Sequence, residues 1–107
     1  MIKEIHVTKE HIMEGEPSDA SYCAIACAIA DEYGVDNAMV GVTGHSDVFV
    51  DYGDYFVELI IEPDDEDTID KFIEDFDYID QLEEGEDSYE YKNNLKEITF
   101  RYTERNS

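Results

Sequence analysis

From Ile69 to Ile79 the apolar residues Ile69, Phe72, Ile73, Phe76 and Ile79 recur at steps of three and four, the repeat of one helix face. Asp67, Asp70, Glu74 and Asp77 fall on a neighbouring arc, with Asp75 further round. The pattern predicts a helix with a buried face beside an acidic one. Just upstream, Tyr55 to Glu62 alternates as a strand does, with Phe56, Glu58 and Ile60 on one face and Val57, Leu59 and Ile61 on the other. Pro63 ends that strand, and Asp64 to Asp67 supply caps and negative charge where the helix dipole favours them.

The N-terminal half follows the same logic. Ile2 to Thr8 reads as a strand, with Ile2 on one parity and Ile5 and Val7 on the other, so partial burial of both faces is expected. Thr8 caps a short helix over Lys9 to Glu14, which Gly15 ends. Pro17 blocks continuation, and Ser18 is the expected N-cap of a longer helix running to Tyr33, with Gly34 as its C-terminal cap. That helix is apolar nearly all round, which predicts burial on most sides and a central place in the fold. Ala20, Cys23, Ala24 and Cys27 make a narrow stripe of small residues, opposite Tyr22, Ile25, Ile29 and Tyr33. Ala38 to Thr43 and Val48 to Val50 predict two strands joined by a turn at Gly44 to Asp47, and Tyr52-Gly53-Asp54 a second turn. Glu83 to Tyr91 reads as an acidic loop around Gly85, and Leu95 to Thr103 as a closing strand with Ile98, Phe100 and Tyr102 on one face. The order β-α-β-β-β-α-β predicts one α+β domain over residues 1–107, a small two-layer sandwich of two main helices on an antiparallel-rich sheet.

Charge changes this picture from a generic fold to a specific surface. The 107 residues hold 29 Asp and Glu against 7 Lys and Arg, a formal charge of −22. Fifteen of those carboxylates lie between Glu62 and Glu90, where Lys71 is the single cation, so this stretch alone carries −14. Salt adaptation would spread acids evenly, yet residues 1–50 hold 9 and residues 51–107 hold 20. Such clustering destabilises the compact state by self-repulsion, which argues for a use of the field. It excludes direct binding of nucleic acid or anionic lipid and favours a basic partner. The stripe from Asp67 to Asp77 spans roughly 15 Å of helix, and a nucleic-acid strand offers a phosphate about every 3.4 Å. The expected contact residues are Asp64, Asp65, Glu66, Asp67, Asp70, Glu74, Asp75, Asp77 and Asp80 around the helix. Glu83, Glu84, Glu86, Asp87 and Glu90 extend them, and Tyr78 and Tyr89 add ring surface and hydroxyls.

Other chemistries fit the sequence less well. An EF-hand loop needs glycine at its sixth position, and Asp75 to Asp80 lacks it while lying in a helical pattern. Cys23 and Cys27 with His11 or His45 would make a zinc set only by arbitrary choice of ligands, and a Cys–His catalytic pair would sit within a buried helix. His6 falls within a strand. Neither a phosphate-cradling glycine loop nor a hydrolase or metalloprotease motif is present. No catalytic residue, metal or cofactor is expected, and nothing indicates a homo-oligomer. The N-terminus has no signal-peptide pattern and no stretch reaches the roughly 20 apolar residues of a membrane span, so a cytoplasmic setting is expected.

His11-Ile12-x-x-Gly15, followed by Ser21-x-Cys23-x-Ile25-Ala26-x-Ala28-Ile29, resembles the start of a set of small phage and bacterial proteins that read His-Ile-x-x-Gly and then Cys-Pro-Ile-Ala-x-Ala-Ile. The match covers residues 5 to 30, with Ala24 where those proteins have proline. It implies phage origin and an α+β scaffold and brings no activity with it. In size, charge and clustering the chain is also similar to the acidic DNA-mimic inhibitors that phages direct against restriction, CRISPR and glycosylase enzymes. The expected function is therefore an inhibitor that blocks the basic nucleic-acid groove of a host defence protein, in the cytoplasm of the host cell. The alternative is an acidic adaptor that binds a basic host protein without displacing nucleic acid.

Overall fold

A computed structural model describes residues 1–82, 85 and 87–106. Five strands, β1 (Lys3–Val7), β2 (Val40–Gly44), β3 (Asp47–Asp51), β4 (Phe56–Ile61) and β5 (Ile98–Asn106), form one antiparallel sheet in the order β1-β5-β4-β3-β2. Four helices accompany it: α1 (Lys9–Glu14), α2 (Ala24–Tyr33), α3 (Glu66–Asp77) and α4 (Ser88–Asn94). The α+β class, the antiparallel sheet and its two longer helices agree with the sequence patterns.

The register explains which face is the core. Ile5 pairs with Phe100, Ile61 with Tyr102, and Val40, Val50 and Val57 lie side by side across β2, β3 and β4. All of these are buried, under α2 and α3. Residues of the opposite parity, among them Phe56, Ile60, Arg101 and Arg105, face away and are exposed. Every helix residue that joins the core does so on one side of the sheet, so the other side has no second layer. β1 is accordingly one-sided: Ile5 and Val7 are buried whereas Ile2 is 58% exposed, so the expected two-sided burial does not occur.

α2 begins at Ala24, five residues later than an N-cap at Ser18 predicts. Ser18 adopts φ 58°, a left-handed conformation that cannot open a right-handed helix. The Asp19 carboxylate accepts hydrogen bonds from the Ser21 and Tyr22 amides, and the Ala20 carbonyl accepts from Val42 on β2. Residues 18–22 thus form a loop against the β2 edge. Ala20 is exposed and lies outside the helix, as does Tyr22, so the small-residue stripe and the opposite one are each shortened. Cys23 is the N-cap instead, its Sγ accepting from the Ala26 amide at 3.5 Å. The helix is nonetheless central, with Ala24, Ile25, Ala26, Ala28, Ile29 and Ala30 all buried.

The His-Ile-x-x-Gly and Cys-x-Ile-Ala residues build one corner. Thr8 and His11 form a capping box at the start of α1, and His11 Nε2 lies 2.6 Å from Asp31 Oδ2 on α2. Ile12 is fully buried. A Cβ on Gly15 would stand 2.6 Å from the Ala24 backbone nitrogen, so only glycine lets α1 end against the start of α2. In this structure those residues serve packing and capping.

Three further differences concern element ends. Asn37–Met39 is a 3-10 turn capped by Asp36, so β2 starts at Val40 and not Ala38. The closing strand starts at Ile98 and extends to Asn106. Within Glu83 to Tyr91, residues 88–91 belong to α4 and not to a loop, because Asp87 accepts from the Tyr89 and Glu90 amides as an N-cap. Glu83, Glu84 and Glu86 lie outside the described residues.

Candidate partner-binding surface

α3 owes its position to its apolar face. Ile69, Phe72 and Phe76 are buried, Ile73 is half-buried, and Ile79 is buried in the 3-10 turn (Tyr78–Gln81) that follows. The remaining circumference must then face solvent, and there the expected contact residues divide into two groups.

The first group is outward and uncommitted. Asp64, Asp67, Glu74, Asp80 and Glu90 are exposed and make no side-chain hydrogen bond or ion pair among the described residues. Tyr78 and Tyr89 are exposed as well, 47% and 66%, and the Tyr78 ring leans on Tyr91 at a centroid distance of 5.7 Å.

The second group holds the fold together. Asp65 takes Arg101 in a two-pronged pair (Nε–Oδ2 3.0 Å, Nη2–Oδ1 3.3 Å) and also accepts from the Arg101 backbone amide. These bonds hold the Asp65 carboxyl below its ordinary value and fasten the turn before α3 to β5. Asp77 is half-buried and accepts from the Ser18 amide at 2.8 Å, which anchors the left-handed residue of the loop before α2. Asp75 pairs with Lys71 at 3.1 Å, one turn back on α3, while its carbonyl accepts from the Tyr91 hydroxyl at 2.8 Å. Asp87 caps α4. Of the four residues expected to form the acidic stripe, Asp67 and Glu74 remain free for a partner, and Asp70 and Asp77 are turned to internal use.

Asp70 binds the β2–β3 turn. Its Oδ1 accepts from the His45 amide at 3.0 Å and its Oδ2 lies 2.6 Å from His45 Nδ1, with Glu66 Oε1 3.9 Å from Nε2. The hydrogen bond to Asp70 raises the His45 pKa above its ordinary value. Partial burial pushes Asp70 upward, but the two His45 bonds outweigh it and leave that carboxyl below its ordinary value. His45 therefore stabilises the fold fully below its unfolded value near pH 6.5, and that share is lost as pH rises through the raised folded value. Asp70 contributes above its unfolded value near pH 3.9, a share lost as pH falls through the lowered folded value. The latch is complete from about pH 4 to 6.5. His45→Gln should accordingly lower the melting temperature most near pH 5–6 and least near pH 9. Comparing variant with wild type at each pH cancels the general repulsion of a −22 chain, and a difference that stays flat across pH would show that the pair does not form.

Six of the seven Lys and Arg are consumed locally, while Lys96 is exposed and makes no hydrogen bond or ion pair among the described residues. Lys3 pairs with Glu104, Lys71 with Asp75, Arg101 with Asp65 and Arg105 with Glu58. Lys9 donates to the carbonyls of Asn93 and Leu95, and Lys92 donates to those of Met13 and Gly15, so two lysines stitch α4 to α1. The field over α3 is thus offset by Lys71, already bound to Asp75, and by Lys96, which lines a surface cleft with Asp67 and Asp75.

The cysteines and histidines do not converge. Burial pushes the Cys23 thiol up to about 11, which keeps it protonated at neutral pH while it caps α2. Cys27 accepts from Asn37 Nδ2 at 3.3 Å, and the His11 ring is taken by Thr8 and Asp31. His6 bonds Thr99 and Glu97 across the strand pair. Among the described residues no group of three or more His, Cys, Asp or Glu side chains is placed to hold a metal ion, and no helix is long and apolar enough to cross a membrane. No protein-family model, curated protein or solved structure matches this chain.

Proposed function

We propose that the protein is a decoy for nucleic acid, occupying the Lys/Arg-lined groove of a host protein with the outer surface of α3. The observation that carries this reading is the contrast on that helix. One face is pinned to the sheet, and Asp67 and Glu74 stand outward from the other with no cation bound to either among the described residues. The two lie seven positions apart, about 10 Å along the axis, or roughly three phosphate spacings of a nucleic-acid strand. Asp70 between them is bound to His45 and Asp77 beyond them to Ser18, so Asp64 before the helix and Asp80 and Glu90 past it supply the further charges. Tyr78 and Tyr89 add flat, amphipathic rings of the kind interfaces favour.

In this reading the chain is an inhibitor of the phage type acting in the host cytoplasm, and its targets are CRISPR effectors, restriction enzymes or other DNA-processing enzymes. It performs no chemistry of its own. Affinity comes from many distributed ion pairs, so it should fall steeply as salt rises from low to physiological ionic strength. The test is capture of partners from host lysate, followed by competition with duplex DNA or guide RNA. The decoy reading expects mutual exclusion on the captured protein. A partner that still binds its nucleic acid normally while holding this chain would leave the adaptor reading in its place.

A further inference from the structure

We propose that the open face of the sheet is a second docking surface, and that it takes a short basic protein segment carrying aromatic or branched apolar side chains. This face is the one that no helix covers, and it lies on the opposite layer from Asp67 and Glu74, with Glu66 at the start of α3 reaching its rim. The inference therefore stands apart from the decoy reading.

The floor is apolar and built into the register. Gly41, Phe49, Glu58 and Arg105 lie in one row across β2, β3, β4 and β5, with Phe56 on the neighbouring row opposite Asp51. A Cβ at Gly41 would stand 2.4 Å from Phe49 Cζ, so the ring rests directly on the β2 backbone. Its neighbour Phe56 is tilted against it at a centroid distance of 6.2 Å. Phe56 is 42% and Ile60 41% exposed, although β4 is the central strand of the sheet, where a second layer would bury them. Together they floor an open trough of about 700 Å³. Exposed apolar patches rimmed by polar groups mark interaction sites.

The rim identifies the occupant. Asp47, Asp51, Glu58 and Glu66 border the trough, and the cation within it, Arg105, is held by Glu58 at 2.7 Å. A second copy would bring the same acids and another −22 against them. Nucleic acid and anionic lipid are repelled for the same reason. A segment with Lys or Arg flanking an apolar side chain satisfies both floor and rim: the apolar group covers Phe56 and Ile60, and the cations meet the acids.

A synthetic ten-residue lysine peptide carrying two phenylalanines, and the same peptide with both changed to serine, test this at physiological salt. The phenylalanine peptide is expected to bind about tenfold tighter, a difference of about 1.4 kcal/mol. Amide shifts of the wild-type protein should move at Phe49, Phe56, Glu58 and Ile60, a readout that needs no variant. The preference should vanish in Phe56→Ser/Ile60→Ser and persist in Asp67→Asn/Glu74→Gln, which lies on the other layer. Equal binding of the two peptides, shifts confined to α3, or a preference that survives Phe56→Ser/Ile60→Ser would each overturn the proposal. So would sedimentation of the wild type as a dimer that Phe56→Ser/Ile60→Ser dissociates, because the face would then be covered by a second copy.

Discussion

Truncating Phe76 to alanine is expected to cost about 3–5 kcal/mol, which in a chain of this size lowers the melting temperature by roughly 15 °C. Phe76 is 1% exposed and stacks on Phe72 at 5.9 Å, with their rings 13° apart. Lys92 Nζ lies 5.9 Å above the same ring while it donates to the carbonyls at the end of α1. Removing the ring therefore leaves a cavity where α3 meets the segment that ties α4 down. Self-repulsion makes the loss weigh more here than in a neutral domain, since holding the carboxylates of α3 against the sheet is work that its apolar face must do. Folded domains have only about 5–15 kcal/mol to lose, so the variant should be partly unfolded at 37 °C in low salt and recover in high salt. Phe76→Leu keeps most of the volume and should cost less than about 1.5 kcal/mol. Thermal melts of the three proteins at two salt concentrations check this. If Phe76→Ala melts within a few degrees of wild type, α3 is not docked through this ring.

How much of this was legible in the sequence follows from what kind of information each feature needs. The period of α3 and the alternation of β4 are local signals, and burial follows them residue by residue: Val57, Leu59 and Ile61 go in, and Phe56, Glu58 and Ile60 stay out. The start of α2 failed because Ser18 and Asp19 look like an N-cap wherever they stand. The deciding contacts, the Ala20 carbonyl to Val42 and Asp77 to the Ser18 amide, come from residues 22 and 59 positions away. Cys23 gave no signal because a thiol is a weak acceptor and is absent from the usual caps. α4 was readable: Asp87 followed by Glu90 three residues later is an N-terminal pattern, masked by reading the whole acidic run as loop. Charge clustering located the surface but not its composition. Asp70 and Asp77 share the helical arc of Asp67 and Glu74, and Asp65 lies just before the helix among the other acids. Arg101, His45 and Ser18 claim Asp65, Asp70 and Asp77 from elsewhere in the chain. The uncovered sheet face was implicit in Phe56 and Ile60 sharing a parity, yet only the one-sided placement of the helices leaves it open.

That division between structural and uncommitted carboxylates yields the largest expected effect on binding. Reversing Asp64, Asp67, Glu74 and Asp80 to lysine removes four exposed acids that no internal partner uses. The fold should survive, because the formal charge falls in magnitude by eight and nothing buried is disturbed, which offsets the helix-dipole attraction lost at Asp64 and Asp67. Each exposed ion pair is worth about 0.2–1 kcal/mol, so losing four attractions and gaining four repulsions costs about 3 kcal/mol, on the order of 100-fold in affinity for the captured partner. The dependence of affinity on salt should flatten at the same time, since fewer ion pairs remain to be screened. A matched control reverses Glu4, Glu10, Glu16 and Glu32, which are also exposed and shift the total charge equally. It should lose only the long-range share, less than about tenfold. The two variants differ in where the charge sits and not in how much there is. Equal losses would mean that the partner senses the overall field of the chain, and the assignment of the α3 surface would fall. Reversing Asp65, Asp70 and Asp77 instead should lower the melting temperature before it touches affinity, because those three carboxylates fasten α3 to β5, to the β2–β3 turn and to the loop before α2.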